Sequence, residues 1–183
     1  MRARAFVAAA LSSIILGLVA LATSTATAQA AYHIHVTNGF EGNPWATWEG
    51  LSEGNANAGA DINQGLAFRG QNNGWLHVVS SGWAAERWRI DVSGSERDDC
   101  EASIWARTAD AGPAPVELQI WDPNGWRLLT KNTPTVQGNN YTQIFTPEID
   151  LSGVSTVYVQ AIYGQQNGPE RFIRIDEAQL DCY

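Results

Sequence analysis

Three segments of the sequence alternate apolar residues with residues that could hold a ligand. In Ala102–Arg107, Val116–Trp121 and Val157–Ala161, every second residue is apolar or small, which predicts three β-strands with one face toward a core. On the opposite faces, seven residues are candidates for ligand binding: Trp105, Arg107, Glu117, Gln119, Trp121, Tyr158 and Gln160. Glu, Gln and Arg can hydrogen-bond hydroxyl groups, and Trp and Tyr can cover the flat C–H faces of a sugar ring. The pattern is consistent with a carbohydrate-binding face and equally with an ordinary solvated sheet face.

No residue in the sequence is assigned a catalytic role. Glycoside hydrolysis needs two carboxylates that face each other across a cleft, and no pattern places a second acid opposite Glu117. We therefore expect Glu117 to accept hydrogen bonds from hydroxyl groups. No histidine neighbourhood supports a Ser-His-Asp hydrolase.

Three histidines raise the question of a copper or zinc site: His33, His35 and His77. A copper site that uses the N-terminal amine needs signal-peptide cleavage just before a histidine. Cleavage before His33 would put Tyr32 where signal peptidase needs a small residue. We expect His33 and His35 to lie on the exposed face of an edge strand.

The composition excludes several classes of partner. The chain has 183 residues, with 11 Lys and Arg, 19 Asp and Glu, and a formal net charge of −8. Nucleic acid and anionic lipid both bind to basic surfaces, so we expect neither as a partner. Eight Trp beside a single Lys indicate a surface that stacks on something uncharged.

The first thirty residues have the layout of a secretory signal peptide. Two arginines precede an apolar run from Phe6 to Ala22, and Ala28-Gln29-Ala30 forms an A-x-A cleavage site. We expect a mature chain that starts at Ala31 and is released outside the cell. A membrane anchor is the alternative, but the run is shorter than the roughly 20 residues of a membrane span.

From residue 31 to residue 183, the sequence predicts one all-β domain, which we expect to be monomeric. Short alternating segments recur between clusters of Gly, Asn, Pro and Ser, as in a two-sheet antiparallel β-sandwich. The predicted strands are His33–Thr37, Leu66–Arg69, Trp75–Val79, Ala85–Val92, Glu101–Thr108, Val116–Asp122, Thr142–Phe145, Val157–Tyr163 and Phe172–Asp181. The run Gly50–Gly65 is predicted to form turns.

The chain has two cysteines, Cys100 and Cys182. An exported protein meets an oxidising exterior, so a disulfide is expected. Cys100 opens one predicted strand and Cys182 closes the last, so the sulfurs meet if these strands pair antiparallel. Two free buried thiols are the alternative.

Three segments occur in order along the chain: Val36–Glu41 (VTNGFE), Ser103–Arg107 (SIWAR) and Ile175–Leu180 (IDEAQL). Together they resemble the carbohydrate-binding modules of the CenC type, the family 4/9 group and its jelly-roll relatives. The family forms are an N-G-F-E start, an S-F-W-A-R-like central strand and an I-D-D-V-x-L finish. The resemblance implies a two-sheet jelly roll, a glycan cleft across a concave sheet, and a structural calcium.

The resemblance carries the calcium-ligating carboxylates onto Glu41 and Asp176. Calcium prefers carboxylate and carbonyl oxygens as ligands, and an ion bound by both residues would connect the first strand to the last. Exposed strand-end acids without a metal are the alternative. The C-terminal segment departs from the family form I-D-D-V-x-L at two positions, where Glu177 replaces the second Asp and Ala178 replaces the Val. The apolar alternation also changes phase between Ile175 and Ala178, which predicts a β-bulge beside Asp176.

The remaining tryptophans are assigned from phase and context. Trp88 lies in phase with apolar neighbours and is expected in the core. We expect Trp45 and Trp48, in a loop, to pack against the sandwich. Trp75 and Trp83, beside glycines, could cover the core or lie at the rim, and the turn residue Trp126 fits either packing or a sugar contact.

Three classes of function remain. The favoured one is a secreted, non-catalytic carbohydrate-binding module that binds a neutral polysaccharide or oligosaccharide and holds a structural calcium. The alternatives are a small secreted polysaccharide hydrolase and a secreted structural or protein-interaction jelly roll without a sugar site.

Overall fold

A computed structural model describes residues 34–93, 99–109 and 112–183 and shows an all-β fold. The strands are β1 Ile34–Asn38, β2 Trp48–Asp61, β3 Asn73–Asp91, β4 Cys100–Thr108, β5 Ala114–Pro115, β6 Glu117–Asp122, β7 Arg127–Asn132, β8 Thr135–Val136, β9 Thr142–Phe145, β10 Thr156–Gln165 and β11 Arg171–Cys182. A short 3-10 turn, Pro44–Ala46, follows β1. Within these three ranges, no helix has the length and apolarity needed to cross a membrane. The predicted signal peptide and His33 lie outside the described residues.

The long strand β3 organises the fold. Its first half, up to Val78, pairs with β11, and its second half, from Gly82, pairs with β10. Strand β2 runs along the other side of both halves and shifts register between Gly54 and Ala56. A Cβ atom at Gly82 would lie 2.2 Å from the carbonyl oxygen of Glu53, so glycine is required where the two strands bend together.

Nine strands form one antiparallel hydrogen-bonded sheet through β3, with β5 and β8 as a separate pair. The bend folds the large sheet into two layers, which we call the front sheet and the back sheet. The front sheet contains the second half of β3, flanked by the first part of β2 on one side and by β10, β6 and β7 on the other. The back sheet contains the first half of β3 with β11, β4 and β9, and β1 pairs with the end of β11. The predicted β-sandwich is confirmed.

The apolar face of each strand lies between the sheets, as the alternation predicts. Ala102, Ile104 and Ala106 of β4 are fully buried, and so are Leu118 and Ile120 of β6. Burying one large aliphatic side chain contributes about 1.5–3 kcal/mol. The buried face therefore fixes which side chains of each strand point outward.

The disulfide and the bulge are both confirmed. Cys100 and Cys182 face each other in the antiparallel pair of β4 and β11 and are bonded. The register of this strand pair shifts between Asp176 and Gln179, and Glu177 at the shift has a left-handed φ of 46°.

The predicted strand at Leu66–Arg69 is wrong, because these residues form a loop. The predicted turn region Gly50–Gly65 is also largely wrong, since β2 occupies most of it. The small residues of β2 lack a clear alternation, and its extended conformation comes from pairing with β3. Strand β7 falls where the sequence predicts none.

Candidate functional site

The seven candidate residues do not share one face. Five lie on the outer face of the front sheet: Glu117, Gln119 and Trp121 of β6, with Tyr158 and Gln160 of β10. The other two, Trp105 and Arg107, lie on the outer face of the back sheet, because β4 pairs with β11 and β9. The expectation of a single face is wrong because alternation shows which side of a strand meets the core, but not which sheet contains the strand.

Glu117, the first residue of β6, is a fixed, ionised acceptor on the front face. Its carboxylate accepts hydrogen bonds from Lys131 Nζ at 2.9 Å, from Thr133 Oγ1 at 2.9 Å, and from the side-chain amide of Gln119. Burial alone would raise the pKa of Glu117, but the hydrogen bonds from Lys131, Gln119 and Thr133 outweigh this effect and lower it. The structure therefore favours the charged carboxylate at neutral pH.

The side chain of Gln119 extends this network across two strands. Its carbonyl oxygen accepts hydrogen bonds from Trp121 Nε1 at 2.5 Å and from Gln160 Nε2 at 2.8 Å. These bonds fix the orientation of the Trp121 ring and the Gln160 amide. Glu117, Gln119, Trp121 and Gln160 are thus linked by hydrogen bonds into one polar surface, which we call the polar floor of the front face.

The turn between β6 and β7 folds a tryptophan over this floor. The rings of Trp126 and Tyr158 are parallel within 4°, with their centroids 5.8 Å apart. The Arg87 guanidinium lies 5.0 Å and 4.7 Å from the two ring centroids, and Glu49 pairs with it at 2.8 Å. Trp126 nevertheless remains 56% exposed. The cluster presents an indole surface to solvent and holds it in place.

The backbone at Trp126 is left-handed, with a φ of 53°. This conformation costs a residue other than glycine on the order of 1–3 kcal/mol. Gly125 before it also has a positive φ, and the carboxylate of Asp122 accepts the backbone N–H of Asn124 at 2.8 Å. Because such strain concentrates at functional sites, the exposed indole is a candidate binding group.

A cavity of about 140 Å³ opens among these groups. Its lining is Arg87, Trp121, Trp126, Tyr158 and Gln160. Aromatic rings form its walls, and amide and guanidinium groups supply its hydrogen-bonding edge. The sequence prediction missed Arg87. The alternation of β3 could have identified it, because Arg87 is adjacent to the inward-facing Trp88 and therefore lies on the outer face.

Trp105 and Arg107 contact a loop of the chain itself. Phe68, in the loop between β2 and β3, stacks on Trp105 with the ring centroids 4.1 Å apart. Arg107 donates hydrogen bonds to the carbonyl oxygens of Leu66 at 3.0 Å and Asn139 at 3.2 Å. The contacts with Phe68 and Leu66 hold the loop between β2 and β3 against the back sheet, whereas Asn139 belongs to the loop between β8 and β9. A sugar contact at Trp105 or Arg107 stays a prediction.

Glu41 and Asp176 each accept hydrogen bonds from the loop between β2 and β3. Oε1 of Glu41 accepts the backbone N–H groups of residues 71–72, at 2.7 Å and 2.9 Å. Oδ2 of Asp176 accepts those of residues 68–69, at 2.8 Å and 3.0 Å. Each carboxylate thus gives one oxygen to the loop.

Asp176 is the buried member of the expected calcium pair, and its Oδ1 accepts the backbone N–H of Glu177 at 2.8 Å. Burial raises the pKa of Asp176 to about 6, and the charge of Glu177 contributes to this increase. The backbone hydrogen bonds that Asp176 accepts lower the pKa but do not outweigh burial. The buried Oδ1 of Asn73 has no hydrogen-bond partner among the described residues. Asn73 precedes Gly74, the partner of Ile175 in the last pair of β3 with β11, and Asp176 follows Ile175. Two carboxylates and a free amide oxygen are hard donors of the kind that calcium takes.

Backbone or amide oxygens would have to complete a calcium shell. In the ranges 34–93, 99–109 and 112–183, no three His, Cys, Asp or Glu side chains come together in a way that could hold a metal ion. His35 pairs with Asp181, and His77 Nε2 lies 2.7 Å from Glu170 Oε1. The predicted exposure of His35 is confirmed.

The loop tryptophans differ from each other. Trp48 is buried as predicted and stacks on Phe40, with the ring centroids 4.1 Å apart. Trp88 packs against the core beside Trp48, also as predicted. The prediction that Trp45 packs is wrong, because it is 65% exposed on the 3-10 turn.

No protein-family model matches the chain, and no curated protein matches it. Solved structures do share its fold. A family 61 carbohydrate-binding module in complex with β-1,4-galactotriose is 12% identical, with a TM-score of 0.58 over 78% of this chain and 92% of the module. The family 22 xylan-binding domain from Paenibacillus barcinonensis is 14% identical, with a TM-score of 0.58 over 82% and 96%. The family 11 module from Clostridium thermocellum, in complex with a β-1,3-1,4-mixed-linked tetrasaccharide, is 15% identical, with a TM-score of 0.56 over 82% and 96%.

The chain therefore has the β-sandwich fold of carbohydrate-binding modules. On its front face, that fold carries the exposed ring of Trp126 and the half-buried rings of Tyr158 and Trp121 beside a fixed polar floor.

Proposed function

We propose that this protein is a secreted, non-catalytic carbohydrate-binding module that binds a neutral polysaccharide on its front face. The observation that carries the proposal is the strained, exposed Trp126, held parallel to Tyr158 beside the amide of Gln160. Aromatic rings can cover the C–H face of a sugar while the amide hydrogen-bonds its hydroxyl groups. The CenC-type assignment is the finer part of this proposal, and it rests on the three sequence segments.

The charges of the front face support a neutral ligand. Arg87 is paired with Glu49 at 2.8 Å, and Lys131 is paired with Glu117 at 2.9 Å. An anionic polymer would have to compete with these carboxylates for Arg87 and Lys131, and Arg89, opposite Tyr158, is a further, exposed cation on this face. A neutral glycan can instead use the remaining hydrogen-bonding capacity of the floor without breaking either ion pair.

The state of Glu117 supports binding without hydrolysis. A general acid in a glycosidase needs a raised pKa, whereas hydrogen bonds lower the pKa of Glu117 despite its partial burial. The segment Gly50–Gly54 has the form G-x-S-x-G. It lies within strand β2 and not at the strand-to-helix turn that positions a nucleophilic serine in hydrolases.

The calcium belongs to the same proposal. Glu41 and Asp176 would hold it, with Asn73 as a further oxygen donor, and the ion would neutralise the buried carboxylate of Asp176. Its effect would be to fix the loop of residues 68–72 against the back sheet. Export through the signal peptide of residues 1–30 completes the proposal.

A pull-down experiment with a product assay separates the three classes of function. The mature chain is mixed with insoluble xylan, mixed-linkage β-glucan, β-1,4-galactan, cellulose, chitin and peptidoglycan, and both its depletion and the release of reducing sugar are measured. Depletion without product supports the binding module. Release of product would make it a hydrolase, and the absence of both would favour a structural or protein-interaction domain.

A further inference from the structure

A second cavity, of about 570 Å³, lies on the front sheet away from Trp126. It is formed by the corner of β2 and β3 and by the end of β10. Its lining includes Glu53, Gly54, Gly82, Trp83, Gly164 and Gln165. None of these residues lines the cavity beside Trp126.

Glycines keep this cavity open beside an aromatic ring. Gly164 of β10 faces Trp83 of β3 across the strand pair. A Cβ atom at Gly164 would lie 3.2 Å from the Cβ of Trp83, so a side chain there would crowd the indole. Gly54 and Gly82 form the bend next to it. Gly54, Gly82 and Gly164 thus form an open surface without side chains, which we call the shelf, beside the partly exposed indole of Trp83.

The polar groups around the shelf are held in place. Trp83 Nε1 donates a hydrogen bond to Oε2 of Glu53 at 2.9 Å, which fixes both side chains. Gln165 accepts from the Tyr163 hydroxyl at 2.7 Å and donates to the carbonyl oxygen of Pro169 at 2.8 Å. An indole with a carboxylate and amides at its edge is the same combination that suits a sugar ring.

The two cavities lie on the same outer face. Tyr158, Gln160, Ile162 and Gly164 are alternate residues of β10 and point to that face. At about 3.4 Å per residue, Tyr158 and Gly164 are roughly 20 Å apart along the strand. A depression of about 210 Å³ lies between them, lined by Pro115, Glu117, Thr133, Ile162 and Gly164. This depression shares Gly164 with the larger cavity.

We infer that the cavity at Trp83 is a second sugar-contacting site and that one neutral polysaccharide chain runs along β10 from Trp126 to Trp83. The inference rests on the proposed function and adds the direction and the length of the bound chain. Oligosaccharides too short to span the face would use only one cavity. Affinity should therefore rise with chain length until a ligand reaches both.

The experiment measures the affinity of the mature chain for xylan, mixed-linkage β-glucan and β-1,4-galactan, and for their oligosaccharides from disaccharide to octasaccharide. Three variants are compared with the parent protein. Trp83→Ala removes the indole, Gly164→Gln fills the shelf and retains Trp83, and Trp45→Ala controls for the loss of an exposed tryptophan on the 3-10 turn.

For the polysaccharide that the parent binds, Trp83→Ala and Gly164→Gln should each weaken binding roughly ten- to hundredfold, by analogy with bases stacked on aromatic side chains. Both should bind the shortest bound oligosaccharide like the parent, and Trp45→Ala should match the parent throughout. Parent-like binding of the polysaccharide by both variants would overturn the second site and leave the proposed function standing. Loss of the shortest oligosaccharide in both would also overturn it, by placing the primary site at Trp83. A parent that binds no glycan would overturn the proposed function itself.

Discussion

Glu86 is a buried acid whose replacement should change how stability depends on pH. It lies on the inward side of β3, where it is only 3% exposed, and it pairs across the strands with Gly50 and Ala161. Burial, with a smaller contribution from the charge of Glu49, raises the pKa of Glu86 from 4.5 to about 8. Glutamine is a neutral residue of similar size, so Glu86→Gln mimics the protonated acid.

The sign and size of the effect follow from linkage. Because the pKa is raised by folding, the folded state binds the proton more tightly, and the stability from this group is complete below pH 4.5. It is lost as the pH rises through about 8. Each pH unit in this window costs about 1.4 kcal/mol, so Glu86 should remove on the order of 2 kcal/mol between pH 6 and pH 8.

Urea unfolding followed by tryptophan fluorescence at pH 6, 7 and 8 measures this loss. The free energy of unfolding of Glu86→Gln should exceed that of the parent, by a margin that grows by about 2 kcal/mol from pH 6 to pH 8. Glu148→Gln, which removes an exposed acid, serves as the control and should follow the parent. A constant difference between Glu86→Gln and the parent across this range would refute the reasoning.

Three further predictions concern the disulfide, the calcium and the ligand charge. Reducing Cys100–Cys182, which are 82 residues apart, should lower the free energy of unfolding by about 4.5 kcal/mol, as urea titrations with and without reductant would show; an unchanged midpoint would contradict this. Chelation should lower the melting temperature, because calcium at a hundredfold excess over its Kd stabilises the folded state by about 2.7 kcal/mol. This response should vanish in Glu41→Gln and Asp176→Asn, and no shift in the parent would mean that no calcium site exists. Affinity for the bound polysaccharide should change little between low and high salt, because a neutral ligand releases no counterions; a steep decline would indicate a charged ligand.

The local features of the fold could be predicted from the sequence. Alternation in β4, β6 and β10 identified the buried face of each strand, since burial of Ile104, Leu118 and Val159 depends only on residue type and phase. The break in phase before Ala178 likewise predicted the bulge. These features are encoded within a few consecutive residues.

The features that depend on distant pairing could not be predicted in this way. Strand β2 is rich in Gly, Asn and Ala, and only its partner β3 makes it a strand. The separation of Trp105 from Trp121 depends on which strands pair, and strand phase carries no information about this choice. The position of Trp126 over Tyr158 results from left-handed backbone at Gly125 and Trp126. The turn residues before it indicated a turn, but not the side of the sheet to which the turn folds.

The affinity of aromatic variants for the bound polysaccharide tests the front-face site most directly. Titration calorimetry would compare the parent with Trp121→Ala, Tyr158→Ala and Trp126→Ala, and with Trp45→Ala as the control. Each of the three front-face variants should bind roughly ten- to hundredfold more weakly, because a lost stacking ring costs about 1–3 kcal/mol by analogy with bases on aromatic side chains. Trp45→Ala should bind like the parent. Parent-like affinity in all three front-face variants would contradict the account and place the sugar site elsewhere on the molecule.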